Sequence, residues 1–339
     1  MEFLLAGAML VGLTFYALTG GADFGGGVWD LFATGQRKEQ QRSLIGNAIA
    51  PVWEANHVWL ILVIVILFTA FPAAFAIIST VLHIPLTLML IGIVLRGSAF
   101  AFRTYDPGET RRRWGLVFSV ASTITPILLG VVIGSIASGR IPATASNFYG
   151  GFIQHWLQPF PFAVGFLALA LFAQLAAVYL TLETTDPALQ NDFRMRAVII
   201  SIIVLFLAAL CYWLSKSGAR YLFTGLQTAP ISIKIGAILL AAGNFAALLI
   251  RNFRLARICS AGETILILWG WALAQYPFLV VALTTIKDAA PKSTLQYVFW
   301  GLIIGGAILF PSFYYLFKIF KSNPEMINHE VRDEHKSKQ

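Results

Sequence analysis

The sequence predicts an all-α protein that threads a membrane nine times. Three observations carry this reading. Of its 339 residues, 58% are hydrophobic and 12% are charged, about half the charge of a soluble domain. The mean hydropathy is +0.75. The apolar residues also come in long runs separated by short basic loops. A crossing takes about 20 apolar residues, which places spans at 3–24, 52–70, 74–100, 114–138, 160–182, 196–216, 230–250, 260–284 and 296–318.

The first run, MEFLLAGAMLVGLTFYALTGGADF, has no basic stretch before it and no A-x-A site after it. It therefore reads as a span rather than a removed signal peptide. The second opens on Pro51, suited to a first helical turn, with Glu54 where an acidic group meets the positive end of the helix dipole. Spans two and three are joined tightly around Phe71-Pro72. The fourth and fifth are linked by GRIPATASNFYGGFIQHWLQPF, rich in the Pro, Gly and aromatic residues that suit an interface. Tyr276-Pro277 is expected to kink the eighth span. The C-terminal KSNPEMINHEVRDEHKSKQ reads as a mobile polar tail.

Basic residues orient the spans. Seventeen of the 24 Lys and Arg fall in one set of loops with the C-terminal tail, six in the alternate set, and Arg96 inside the third span. Positive charge stays inside, so the N-terminus is expected outside and the C-terminus in the cytoplasm. The net charge of +8 is thus a topology signal, and no aromatic-basic motif points to nucleic acid. Cys211 and Cys259 are expected near opposite membrane faces, too far apart for a disulfide. There is no zinc spacing, P-loop or nucleophile elbow.

The polar residues gather near the inner edge. GGADFGGGVWD carries Asp23 and Asp30 seven residues apart, two helical turns and about 10 Å along one face. Trp53, Glu54 and His57 open the second span, with Glu54 and His57 neighbours on one helix surface. LRGSAFAFR closes the third with Arg96 and Arg103. Ionised groups are costly in a bilayer, so two readings stand. In one, Arg96 neutralises Asp23 or Glu54 and pins the first three helices. In the other, carboxylates and waters lead protons from the cytoplasm towards a buried reaction centre. Spacing alone favours neither. The Gly25-Gly26-Gly27 run reads as close helix packing in preference to backbone approach by a cofactor or quinone. Of five histidines, only His83 is expected well within a span. A lone His there does not make a haem site.

GGADFGGGVWDL, IAPVWEANHVWLI and LRGSAFAFR together resemble subunit II of cytochrome bd-type quinol oxidases, including the cyanide-insensitive branch. The likeness is close over the first three helices and looser beyond. It implies two four-helix bundles, 1–138 and 160–284, a peripheral ninth helix at 296–320 and a cytoplasmic tail at 321–339. It also implies a bacterial cell-membrane partner, subunit I, holding a low-spin haem b, a high-spin haem b, haem d and the quinol-oxidising loop. The pair would oxidise quinol, reduce dioxygen to water and build a proton gradient without pumping. By the same resemblance this chain binds no haem, and it leaves open a structural quinone and a small accessory membrane subunit. In the family, the carboxylate after the tryptophan of the second block is implicated in proton supply, which here is Glu54. The aspartate of the first block is Asp23. Some relatives carry Asp in place of Glu54 or Gln in place of His57, so His57 is not a required proton carrier. Trp53, His57, Arg96 and Arg103 are candidate supporting residues. An ion-coupled secondary transporter and a purely structural partner subunit are the rival functions.

Overall fold

The computed structural model describes residues 1–49, 53–105, 110–142 and 147–322. The expected helix start at Pro51, the Trp53 side chain and the 323–339 tail lie outside the described residues. Of the described residues, 84% are helical, which settles the all-α class. Among the described residues, eight helices are long and apolar enough to cross a membrane, and nine if the bent pair Lys38–Ile49 and Glu54–Ala70, 53° apart, counts as one crossing.

The first crossing is a single run of three pieces: α1 (Glu2–Phe15), a π-helical turn (Tyr16–Gly20) and α2 (Gly21–Leu31). A π turn inserts an extra residue and rotates the helix beyond it, which sets the face α2 presents. Next come α3 (Lys38–Ile49), α4 (Trp53–Ala70), α5 (Pro72–Val81) and α6 (His83–Tyr105). The expected third span at 74–100 is thus cut at Leu82. The cause is proline chemistry. Pro72 starts α5 at its first turn, and Pro85 falls in the first turn of α6, where its missing N–H disturbs no helical bond. His83, expected well within a span, instead sits at this junction, its Nδ1 2.9 Å from the Thr80 carbonyl.

Then come α7 (Thr110–Ser138), α8 (Phe148–Phe152), α9 (Pro159–Leu180), α10 (Pro187–Gly218), α11 (Arg220–Thr228), α12 (Ile231–Leu249) and α13 (Phe253–Gln275). The expected eighth span at 260–284 carries a kink at Tyr276-Pro277; the helix instead ends at Gln275. A residue before proline is pushed out of the helical region, and Tyr276 is extended at φ −53°, ψ 138°. The apolar run continues as a small antiparallel hairpin, β1 (Phe278–Val280) and β2 (Thr284–Thr285), in which Val and Thr suit extended backbone. Beyond β2, the Asp288 carboxylate accepts from the Thr285 N–H at 2.7 Å and its hydroxyl at 2.9 Å, which holds its pKa below the usual range. The helix also begins earlier than expected, because Asn252 caps it by accepting from the Leu255 N–H. Residues 2–290 form one compact unit. A second contains α14 (Lys292–Ser322), with Pro311 in its interior.

The core of the first unit draws on α2, α3, α6, α7, α9, α10, α12 and α13, with Trp29, Phe118, Leu171, Phe193 and Leu248 among its members. The Gly25-Gly26-Gly27 run packs within it. A methyl on Gly25 would run into the Phe172 carbonyl of α9, and one on Gly27 into the Ser122 side chain of α7. Small residues here let three backbones approach closely. Trp29 completes the α2–α9 contact by donating to the Ala173 carbonyl at 2.7 Å.

Candidate functional site

Four elements build one buried polar cluster. The π turn brings Tyr16, α2 brings Asp23 and Phe24, α4 brings Asn56 and His57, and α6 brings Arg96. Asn56 is buried and its Nδ2 donates to Asp23 Oδ2. Arg96 is 1% exposed, its guanidinium 4.5 Å from the centre of the Phe24 ring and 5.5 Å from that of Phe118. Its charge acts on Asp23, Tyr16 and His57. The His57 ring lies 6.1 Å from both Tyr16 and Phe24.

One carboxylate and one guanidinium within electrostatic reach of each other keep the net charge of the cluster low, which eases the burial of both. Among the described residues, Arg96 Nε and Nη2 have no hydrogen-bond partner.

Seven residues along α2, Asp30 is 0% exposed. Arg103 Nη1 of α6 approaches its Oδ1 at 2.9 Å and Ser119 of α7 donates to its Oδ2 at 2.7 Å. Arg42 of α3 comes within 3.9 Å. Farther out, Arg37 binds Asp192 of α10 at 2.6 and 2.9 Å, and Gln41 links Asp192 to Arg196. The Asp192 carboxylate holds the Arg37 pKa above its ordinary value. This end of the helices, which carries the arginine-rich loops, is the basic end.

The structure brings Asp23 together with Arg96, and Asp30 together with Arg103. It does not bring Glu54 to either arginine. Glu54 is exposed in the first turn of α4 and makes no hydrogen bond or ion pair among the described residues. Asn56 is the residue that sequence reasoning missed. Its signal was helix phase: residues two apart point about 200° from each other, so if Glu54 faces outward, Asn56 faces in. Ser119 and Asp192 gave no signal, because each meets its partner from a distant segment.

An apolar cavity of about 520 Å³ opens between α1, α4, α6, α7 and α13, lined by Met9, Leu13, Val63, Met89, Val132 and Trp271. No group of three or more metal-binding side chains occurs among the described residues. His57 sits against Tyr16 and Phe24, His83 against Phe152 and the Thr80 carbonyl, and His155 Nε2 reaches the Val81 carbonyl at 3.3 Å.

Comparison with known proteins gives the assignment. The family model for cytochrome bd terminal oxidase subunit II matches residues 1–320. A putative cytochrome bd menaquinol oxidase subunit II of Bacillus subtilis is 23% identical, covering 97% of this chain and 98% of its own. A cytochrome bd ubiquinol oxidase subunit 2 of the same organism is 30% identical over 69% of this chain and 68% of its own. The cytochrome bd-I ubiquinol oxidase subunit 2 of Escherichia coli is 28% identical over 61% of this chain and 54% of its own. In fold, the chain matches a chain of the bd oxidase from Geobacillus thermodenitrificans with a TM-score of 0.79 at 22% identity, covering 95% of this chain and 99% of that one. With its polytopic helices and the family match over nearly its whole length, the chain is a multi-pass membrane protein of the cytochrome bd terminal oxidase subunit II family.

Proposed function

We propose that this chain is the haem-free subunit of a quinol oxidase and passes protons from the cytoplasm to a haem-bearing subunit I through Glu54 and Asp23. Subunit I would carry both b haems and haem d, oxidise quinol and reduce dioxygen to water. The haems supply the oxygen chemistry; this chain holds and moves protons. The basic end would face the cytoplasm of a bacterial cell, since Lys and Arg concentrate there. The helices of 1–138 and 160–284 would form the two bundles of the family.

One observation carries the reading. Glu54 stands exposed at the start of a helix whose next turns expose Ile61, Ile64, Val65 and Phe68. A carboxyl left against lipid is costly, and an abutting protein surface with water satisfies it. On the inward side of the same helix, Asn56 holds Asp23. The two carboxyls therefore stand on either side of α4, Asp23 within the chain and Glu54 on the outward face that the partner would cover. The apolar cavity has a volume usual for a small-molecule site, and with Trp271 Nε1 lacking a partner among the described residues, it suits a structural quinone.

The test is Glu54→Gln in the complex purified with this chain. Haem content should match the parent while oxygen reduction slows by roughly tenfold or more, ~1.4 kcal/mol on the barrier. An unchanged rate would remove Glu54 from the proton path, and loss of haem together with activity would make it structural. A preparation with no haem at all would overturn the oxidase reading and favour a transporter.

A further inference from the structure

A second polar cluster lies away from Asp23, among four other helices. Glu263 is the eleventh of the 23 residues of α13 and is 5% exposed. Gln174 of α9 donates through Nε2 to Glu263 Oε2 at 3.0 Å and to Ser201 Oγ of α10 at 3.2 Å. Asn244 of α12 donates to the same Ser201 oxygen at 3.1 Å. Ser201 in turn donates to the Ala197 carbonyl at 2.7 Å. Each of the four helices is long and apolar enough to be a span, and each contributes one side chain.

Two features say what this cluster takes. First, among the described residues no Lys or Arg pairs with Glu263. Most cations on these helices are engaged elsewhere: Arg194 with the Leu248 carbonyl, Arg196 with Gln41, Lys216 over the Phe223 ring, Arg257 over the Tyr179 ring and Lys234 with the Leu226 and Gln227 carbonyls. Arg254 stands at the start of α13, more than two helical turns from Glu263. Cys259, four residues before Glu263 on α13, is a titratable neighbour on the same helix. An ionised Glu263 would be an uncompensated anion at mid-span, a costly state in a bilayer. Second, the cluster is short of donors. Gln174 Oε1 and Asn244 Oδ1 are buried acceptors with no partner among the described residues, a costly state. A carboxylic acid donates where a carboxylate can only accept. An alkali cation answers the need less well, because the Ser201 oxygen already takes part in three hydrogen bonds.

We propose that Glu263 is a proton-binding site, kept as a neutral carboxylic acid by its burial without a cation at the meeting point of α9, α10, α12 and α13, where Gln174 donates to its carbonyl oxygen. The proposal does not rest on the oxidase reading, since it concerns how this chain holds a proton whatever the complex catalyses.

The experiment is infrared spectroscopy of the full chain, purified with whatever accompanies it, with hydrogen–deuterium exchange at neutral pH. The parent should show an exchange-sensitive carboxylic-acid C=O band that Glu263→Gln lacks and that Asp23→Asn and Glu54→Gln both keep. Gln174→Leu preserves the carboxyl but removes its hydrogen-bond donor, so there the band should persist and move to higher frequency. A Glu263→Gln spectrum identical to the parent in that region would overturn the proposal. Should Glu263→Gln fail to fold, an unmoved band in Gln174→Leu would overturn it equally.

Discussion

Arg103 on α6 holds Asp30 on α2 at 2.9 Å, and the carboxylate it holds is sealed from solvent while Ser119 of α7 donates to the other oxygen. The first crossing is thereby tied at one end to the later pair α6 and α7 by a single carboxylate.

That arrangement sets the first expected outcome. Arg103→Leu removes the nearer of the two cations beside a buried anion and leaves only Arg42 at 3.9 Å; breaking a buried pair outright costs about 3–5 kcal/mol, which is the upper bound here. Ser119→Ala removes one hydrogen bond to a charged group, about 1.5–3 kcal/mol. Thermal unfolding of the detergent-solubilised protein should rank the two variants in that order. If Arg103→Leu melts with the parent, Asp30 is not the tie described.

Gly25 gives the second. A methyl there meets the Phe172 carbonyl, a backbone atom that cannot swing aside. Overpacking of this kind costs about 1–3 kcal/mol, so Gly25→Ala should lower the unfolding temperature and reduce the yield of folded protein. Gly7 is the matched control, in mid-helix with nothing within 4 Å of its added methyl. Gly7→Ala should be neutral or more stable by about 0.5–1 kcal/mol, since alanine is the better helix former. Equal effects at the two sites would refute the packing account.

His155 gives the third. It is buried in the connection between α8 and α9 and reaches the Val81 carbonyl at 3.3 Å. Burial lowers its pKa below the ordinary 6.5. In the window below 6.5, the unfolded chain therefore binds a proton that the folded chain refuses, and stability falls as the pH drops through that window. Above 6.5 the ring is neutral in both states and contributes no slope. His155→Gln should flatten the acid side of the stability–pH curve between about pH 6.5 and 5 and leave the plateau above it level. A slope equal to the parent's would show that another group governs that region.

The span count, the helical class and the block that carries the site were legible in the sequence because they depend on local quantities. Twenty apolar residues match a bilayer, and a backbone in lipid must satisfy its own hydrogen bonds, which makes each such run a helix. Asp23, Glu54, Arg96 and Arg103 were likewise visible as polar residues in apolar surroundings. Where local chemistry was misjudged, the errors trace to prolines. Pro72 and Pro85 flank a junction that a hydropathy window smooths over, and Pro277 ends a helix where the apolar run goes on.

Only the tertiary structure decided which polar groups meet. Hydropathy fixes that α2, α4 and α6 cross, but not how each is rotated about its axis, and rotation chooses Asn56 over Glu54 as the partner of Asp23. The π turn at Tyr16–Gly20 resets that rotation midway along the first crossing. The Glu263 cluster draws on residues as much as 89 positions apart, so no window of sequence contains it. The physical reason is a division of labour: backbone hydrogen bonds, which are local, make the helices, whereas close packing through Gly25 and Gly27 and the pairing of buried charge set how they assemble.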